Sequence, residues 1–399
     1  MTQLGITSQQ DNVGGVLHTL LFNGREIILM VPPEFPFTRG GSSMRWGLIP
    51  LHSLGDVEIV IFDMDGVLID VSRSYRETIK RTVGLYLRRA LGRKGNSKSL
   101  VTDGDIVTFK EIGGLNNDWD VTTGLLCYFV TLLEGDDPEK VHAVDSMDEV
   151  ISFLKKNRNR IRGGIEEIVE KKDISGFRRR ARDYGTGLEA IRKALNSGKT
   201  RFVFGTGDLA VDNLVKRIFQ EVYLGPHFSR IHRLPSLFYS GKALFEREQK
   251  LVKRESLSFL SDRIDMGIAS GRPRDEALLG LRNFGIEHYF RSLVTLEDCE
   301  LEQKRLFALG GRRVNVFKPN PFSVIKAVRL INPGRTKCAY VGDIPDDIEA
   351  ANRAKREIAI ISIGCLASYA DKERARKKFS EVGADLIIDS VDDLVDLIQ

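Results

Sequence analysis

A run of β-branched and aromatic residues, Val57-Glu58-Ile59-Val60-Ile61-Phe62, stops at two carboxylates and a glycine, Asp63-Met64-Asp65-Gly66. A nearly continuous apolar run of this length is the pattern of a strand buried on both faces. Soon after it, Tyr75, Ile79, Val83 and Tyr86 recur at three- and four-residue spacing, which predicts an amphipathic helix. The same grammar returns downstream. Residues 266–269 precede a helix from about Pro273, residues 338–341 precede one from about Pro345, and residues 358–363 read as another buried strand. Strands alternating with helices predict an α/β fold, a Rossmann-like parallel sheet with helices on both faces. In such sheets the functional loops follow the strand C-termini.

The chain divides by pattern. Residues 1–55 read as a β-hairpin appendage and linker, with apolar runs 16–22 and 26–31 joined by Asn23-Gly24 and then a stretch holding Pro32, Pro33 and Pro36. Residues 56–75 and 256–399 carry the α/β core, and 76–255 form a large, mostly helical insertion. Within the insertion, Ser146-Met147-Asp148-Glu149 is a capping box, and Leu214, Val215, Ile218, Phe219 and Val222 form an apolar stripe. Gly205-Thr206-Gly207-Asp208 lacks the spacing of a phosphate loop and predicts a helix start capped by Thr206 or Asp208. Basic runs at Lys155-Lys156, Arg158, Arg160, Lys171-Lys172 and 178–182 have no interleaved aromatics, and predict a solvated helix face rather than a nucleic-acid surface.

Composition narrows the classes further. The 60 basic residues nearly balance 55 acidic ones, so global charge gives no support to nucleic-acid binding. Cys127, Cys299, Cys338 and Cys365 form no C-x-x-C pair, so neither a structural zinc site nor a disulfide framework is suggested, and the reduced thiols of a cytoplasm are expected. No leader pattern and no membrane-length apolar stretch is read, so neither secretion nor insertion in a membrane is expected. The six histidines have no metal-ligand spacing, and no G-x-S-x-G elbow is present.

The chemistry lies at the first strand end. There Asp63 points into the ligand crevice, Asp65 two residues on can face the same space, and Gly66 permits the tight turn. Two carboxylates at one site repel; a divalent cation would hold Asp63 ionised and leave Asp65 able to carry a proton.

These residues resemble the first signature motif of the haloacid dehalogenase superfamily, DxDG(T/V). Ser270, in Ala269-Ser270-Gly271-Arg272-Pro273-Arg274, is similar to the second motif, Lys318, in Phe317-Lys318-Pro319, to the third, and Gly342-Asp343-Ile344-Pro345-Asp346-Asp347 to the acidic fourth. Asp70-Val71-Ser72-Arg73-Ser74-Tyr75-Arg76, Gly113-Gly114-Leu115-Asn116-Asn117-Asp118-Trp119-Asp120 and the GRPR segment resemble one capped group of that superfamily, with Ser270 where a Thr is expected. The resemblance implies a helical cap inserted between motifs one and two.

It also implies a function: a Mg²⁺-dependent phosphatase that hydrolyses a small organic phosphate monoester through an aspartyl phosphate. Asp63 would be the nucleophile, Asp65 the acid/base, and Ser270 and Lys318 the phosphoryl-oxygen ligands. Asp63, the Asp65 carbonyl and Asp343 would hold the metal, with Asp347 acting through a metal-bound water and Asp346 capping the next helix. Gly271, Arg272, Asn116, Asn117, Asp118 and Trp119 are the expected substrate-binding residues; the competing expectation is that 116–118 only cap the helix beginning near Trp119. A phosphomutase carries the same motifs, and a phosphate-binding protein without turnover is the alternative outside catalysis. The expected partner is a small phosphorylated metabolite, with neither nucleic acid nor membrane; the sequence does not define the oligomeric state.

Overall fold

A computed structural model describes residues 5–10, 16–22 and 25–31 as backbone, and 54–398 apart from 97, 116, 141, 142, 312, 313 and 335. The Asn23-Gly24 turn and the 32–53 linker therefore lie outside the described residues. Two compact units are present, one of Met1–Asp70 with Gln249–Gln399, the other of Val71–Glu248.

The strands, in chain order, begin with β1 (Gly5–Gln10), β2 (Val16–Phe22), β3 (Arg25–Val31), β4 (Ile59–Phe62) and β5 (Ile69–Asp70). The second unit holds β6 (Glu134–Gly135) and β7 (Ile161–Arg162). Then come β8 (Gln249–Lys250), β9 (Asp265–Ala269), β10 (Ser292–Val294), β11 (Lys337–Gly342), β12 (Ala359–Cys365) and β13 (Leu386–Ile388). Nine of them form one sheet in the order β1-β2-β3-β13-β12-β11-β4-β9-β10. The six from β13 to β10 are parallel, as the sequence predicts, and β3 adds antiparallel to β13 with Ile28 opposite Ile387. This is the α/β Rossmann-like fold. At the two chain crossings, β5 pairs antiparallel with β8.

Alternation along β4 sends its side chains to both faces. Ile59 and Ile61 join Val324, Val328, Tyr340 and Ala351 in one core cluster, under the helices Phe322–Ile331 and Pro345–Ala354. Phe62, fully buried, meets Phe290 edge-on at 6.1 Å. Complete burial of such side chains stabilises by about 1.5–3 kcal/mol each.

In the second unit the helix Leu214–Leu224 buries its whole apolar stripe. It starts later than expected: Asn213, not Thr206 or Asp208, is the cap, its side-chain oxygen accepting from Lys216 N at 2.8 Å. Asp208 instead closes a turn, accepting from Ala210 N at 2.7 Å while its own N–H donates to Asp212. Ser146 caps the helix Met147–Asn157, but Glu149 reaches back to the Asp145 N–H instead of closing the box on Ser146. Several of the basic side chains are consumed within the unit: Lys156 pairs with Glu139, Lys171 with Glu167, Lys172 with Asp105, and Arg178 with Glu111.

Arg217 and Glu221 pair at 3.0 Å with almost no exposure. Glu221 also accepts from the backbone N–H groups of Leu237, Phe238 and Tyr239, so one carboxylate pins a whole loop. Removing one member of such a pair leaves a buried charge uncompensated. Glu221→Ala should lower the stability of this unit by about 3–5 kcal/mol, read from urea unfolding; a loss below about 1 kcal/mol would show that the pair is not needed.

Candidate active site

Three neighbouring strands deliver the site. β4 lies between β11 and β9, and all three run parallel, so the residues that follow them emerge side by side at the carboxyl ends of the strands. Asp63 follows β4, Asp343 follows β11 and Ser270 follows β9. Asp63 N donates to Val341 O at 2.8 Å and Ser270 N to Val294 O at 2.9 Å, which carries the ladder up to each of these residues. Gly66 adopts φ +76°, and a Cβ there would collide with the Asp343 carboxylate. Only glycine meets both conditions.

Lys318 comes from a separate turn before the helix Phe322–Ile331, closed by Asn320 N donating to Phe317 O at 2.9 Å. Its Nζ lies 2.8 Å from Asp63 Oδ1, 2.7 Å from Asp347 Oδ1 and 2.7 Å from the Tyr340 hydroxyl. Burial opposes its charge, yet Asp347 and Asp63 hold it well above the usual lysine range. Asp347, fully buried, also accepts from Tyr340 OH at 3.0 Å and from the N–H groups of Asp343 and Ile344 at 3.1 and 3.2 Å. The start of the helix Pro345–Ala354 is thus capped by Asp347, whereas Asp346, expected in that role, is exposed. A carboxylate at the third helical position reaches back to the unpaired N–H groups ahead of it, and the second position points away.

Asp63, Asp343 and Asp347 each offer a carboxylate oxygen within 4.8 Å of the others. An all-oxygen set suits Mg²⁺. Burial pushes Asp63 up to about 7, with Lys318 pulling it down and Asp347 and Asp65 pushing it up again. Asp343 is raised well above the carboxylate range, first by burial and then by Asp347, Asp63 and Asp65. Such crowding is what a bound cation relieves, so the residues fit the group. Asp65 lies outside this carboxylate set and turns to Arg272, whose Nε stands 2.6 Å from Asp65 Oδ1.

Ser270, buried, accepts from Arg272 N at 3.2 Å on its hydroxyl oxygen. Gly271 is exposed and open. In the second unit, Asn116 lies outside the described residues. Asn117 caps the helix Asp118–Leu132, accepting from Asp120 N at 2.8 Å, and Trp119 is buried edge-on against Phe219. Asp118 pairs with Lys110 at 2.7 Å. The capping geometry weighed against substrate binding is therefore present.

Tyr340 was not legible as a site residue. A tyrosine among aliphatic residues of a buried strand is its only signal, and that also describes an ordinary core aromatic.

A family model described as hydrolase, haloacid dehalogenase-like hydrolase, matches residues 57–355. The chain belongs to this family of hydrolases. Among curated proteins it is similar to "Putative pyrophosphatase PpaX" of Caldanaerobacter subterraneus subsp. tengcongensis, 32% identical over 110 residues, 27% of this chain and 43% of the relative. Pyrophosphatase PpaX of Halalkalibacterium halodurans is 25% identical over 133 residues, 33% of this chain and 51% of the relative. The matches thus span about half of each relative. The X-ray structure of Northeast Structural Genomics Consortium target ZR25 shares the fold, with TM-score 0.55 and 19% identity, covering 84% of this chain and 97% of that one.

The raised Asp343 yields a prediction whose sign is fixed. A folded-state pKa above the unfolded value of 3.8 means that the folded protein keeps a proton the unfolded chain gives up, so metal-free stability falls as pH rises past that value. Asp343→Asn should raise the Tm of EDTA-treated protein at about pH 8 and leave it unchanged at about pH 4. Mg²⁺ should raise the Tm of wild type but not of the variant, since only a ligand that binds the folded state stabilises it. Equal Mg²⁺ shifts in both proteins would remove Asp343 from the metal site.

Proposed function

We propose that the chain is a Mg²⁺-dependent phosphatase acting on a small organic phosphate monoester through an aspartyl phosphate on Asp63. The observation that carries this reading is the meeting of Asp63, Asp343, Asp347 and Lys318 at the carboxyl ends of neighbouring strands, with Asp65 on the same loop as Asp63. Phosphate monoesters are extremely inert, so charge neutralisation and positioning must supply most of the acceleration. Mg²⁺, held by Asp63, Asp343 and the Asp65 carbonyl with Asp347 behind them, would screen the negative charge of the phosphoryl oxygens against the attacking carboxylate.

The protein's own groups do the rest. Asp63 attacks phosphorus and the P–O bond to the leaving group breaks, its electron pair going to the departing oxygen, which takes the Asp65 proton. Water then attacks the phosphoaspartate and gives a proton to Asp65, while the Asp63–phosphorus bond breaks and its pair returns to the carboxylate. Ser270, its oxygen already accepting from Arg272 N, can donate to a phosphoryl oxygen. Lys318 offsets charge on Asp63 and on the transferring group. Two relatives named as pyrophosphatases support phosphoryl hydrolysis and place inorganic pyrophosphate among the substrates to assay.

Choice among monoesters we assign to residues 116–119, on the argument that core groups meet only the phosphoryl unit. Asn117→Ala and Asp118→Ala should then alter the ranking across a panel of small phosphates; a uniform loss with lower Tm would leave only the capping role. For the chemistry, p-nitrophenyl phosphate with Mg²⁺ should release phosphate, and EDTA should abolish it. Asp63→Asn should eliminate turnover and Asp65→Asn should lower it about 10²–10⁴-fold, both with wild-type circular dichroism. Wild-type rates in either variant would sink the covalent mechanism. Retention of phosphate on the enzyme, or its transfer to a second substrate hydroxyl rather than to water, would favour a phosphomutase.

A further inference from the structure

The chemistry proposed for Asp65 requires that its carboxylate be held in one place, because it must protonate a leaving oxygen and later receive a proton from water. Asp65 is about one-third exposed and sits on the loop that follows β4. What it meets is Arg272, whose side chain is 1% exposed and whose Nε donates at 2.6 Å. A guanidinium is planar, permanently charged and directional, which makes it an orienting group rather than a proton carrier.

Arg272 is itself held on every side. Its backbone N–H donates to Ser270 Oγ at 3.2 Å, and its carbonyl accepts from Leu296 N at 3.0 Å. Pro273 follows, and the helix Arg274–Asn283 begins at the next residue. On that helix Gly280 makes room: a Cβ there would come within 3.3 Å of Arg272 Nη1 and 2.9 Å of Met64 Cε. The guanidinium therefore lies in a slot between the Asp63–Asp65 loop and a helix that lacks a side chain where it passes.

We propose that Arg272 is the positioning residue for Asp65, fixing the carboxylate where it exchanges protons with the leaving group and with water. The inference rests on the phosphatase reading. It moves Arg272 one step back from the substrate contact that the sequence suggests, because a side chain with 1% exposure already spends its Nε on Asp65. It also gives the second-motif loop two tasks two residues apart, a phosphoryl-oxygen donor at Ser270 and an acid/base clamp at Arg272.

Pre-steady-state kinetics on the full chain with p-nitrophenyl phosphate and Mg²⁺ separate this role from others. p-Nitrophenolate departs with little acid assistance, so phosphorylation of Asp63 should survive loss of the clamp, whereas hydrolysis of the phosphoaspartate needs Asp65 as base. Arg272→Ala should keep a burst of about one p-nitrophenolate per site and slow the steady state about 10²-fold or more. Guanidinium ion in solution should restore part of the rate, and Arg272→Lys should lie between the two. In an Asp65→Asn background the same Arg272→Ala change should alter the burst and the steady state by no more than about twofold, because a residue that acts only through Asp65 has nothing left to position. A loss of equal size in both backgrounds, or a vanished burst with a raised KM, would overturn the inference and make Arg272 a phosphate ligand or a structural residue. If Arg272→Ala melts early, Arg272→Lys and Gly280→Ala, which presses on the guanidinium without removing it, carry the same comparison. A wild type without turnover on any phosphate ester sinks the phosphatase reading and this inference together; turnover with background-independent effects sinks this inference alone.

Discussion

The ammonium of Lys318 sits among Asp63, Asp347 and the Tyr340 hydroxyl, all within 2.8 Å, and four separate pieces of chain depend on that contact. Burying a lysine costs several kcal/mol unless carboxylates and hydrogen bonds replace its water. Here Asp347 supplies a fully buried partner, and its second oxygen takes two backbone N–H groups at the start of a helix. One carboxylate therefore ties the 317–320 turn, β11, the first helical turn after it and, through Lys318, the end of β4. The opposing cost is electrostatic. Three clustered carboxylates face one lysine, and burial first, then the surplus negative charge, raises Asp63 and Asp343. The site is stable as a scaffold and unsatisfied as an electrostatic cluster, which is the condition under which a divalent cation binds well.

Parallel pairing converts this local contact into a reproducible geometry. Because β4 has β11 on one side and β9 on the other, a residue that follows each strand has only one place to go, and the spacing between strands sets the spacing between functional groups. Gly66 shows how tightly the loops are then drawn. Its backbone must turn with φ +76° beside the Asp343 carboxylate, so the glycine of the first motif is required by the neighbour from the fourth.

The strands and their acidic ends were legible because local signals carried them: a β-branched run, a sudden change to Asp and Gly, and a helical period beyond. Ser270, Lys318 and Asp343 came from the resemblance to the superfamily's later motifs, and the structure puts Ser270 and Asp343 directly after strands and Lys318 in a turn. What stayed hidden was decided by partners far away in sequence. Asp65 and Arg272 are separated by 207 positions, and no spacing rule links them. Lys172 reads as part of a basic run until Asp105, 67 positions earlier, neutralises it. The cap of the helix Leu214–Leu224 failed for another reason. Thr206, Asp208 and Asn213 are all good cap residues, and Asp208 was taken by its own turn.

The buried pairs of the two units differ in a way that separates structure from function. Arg217 and Glu221 are both almost unexposed, and Glu221 directs its oxygens to the guanidinium and to three backbone N–H groups. Such an arrangement holds a loop and offers little to a ligand. In the pair Arg272–Asp65 the cation is just as buried, but the carboxylate is about one-third exposed. A fully enclosed arginine holding a partly open carboxylate is stiff on one side and accessible on the other, which is the asymmetry that the proton transfer proposed for Asp65 needs: its position is set by the protein, and one face remains open to whatever enters the site.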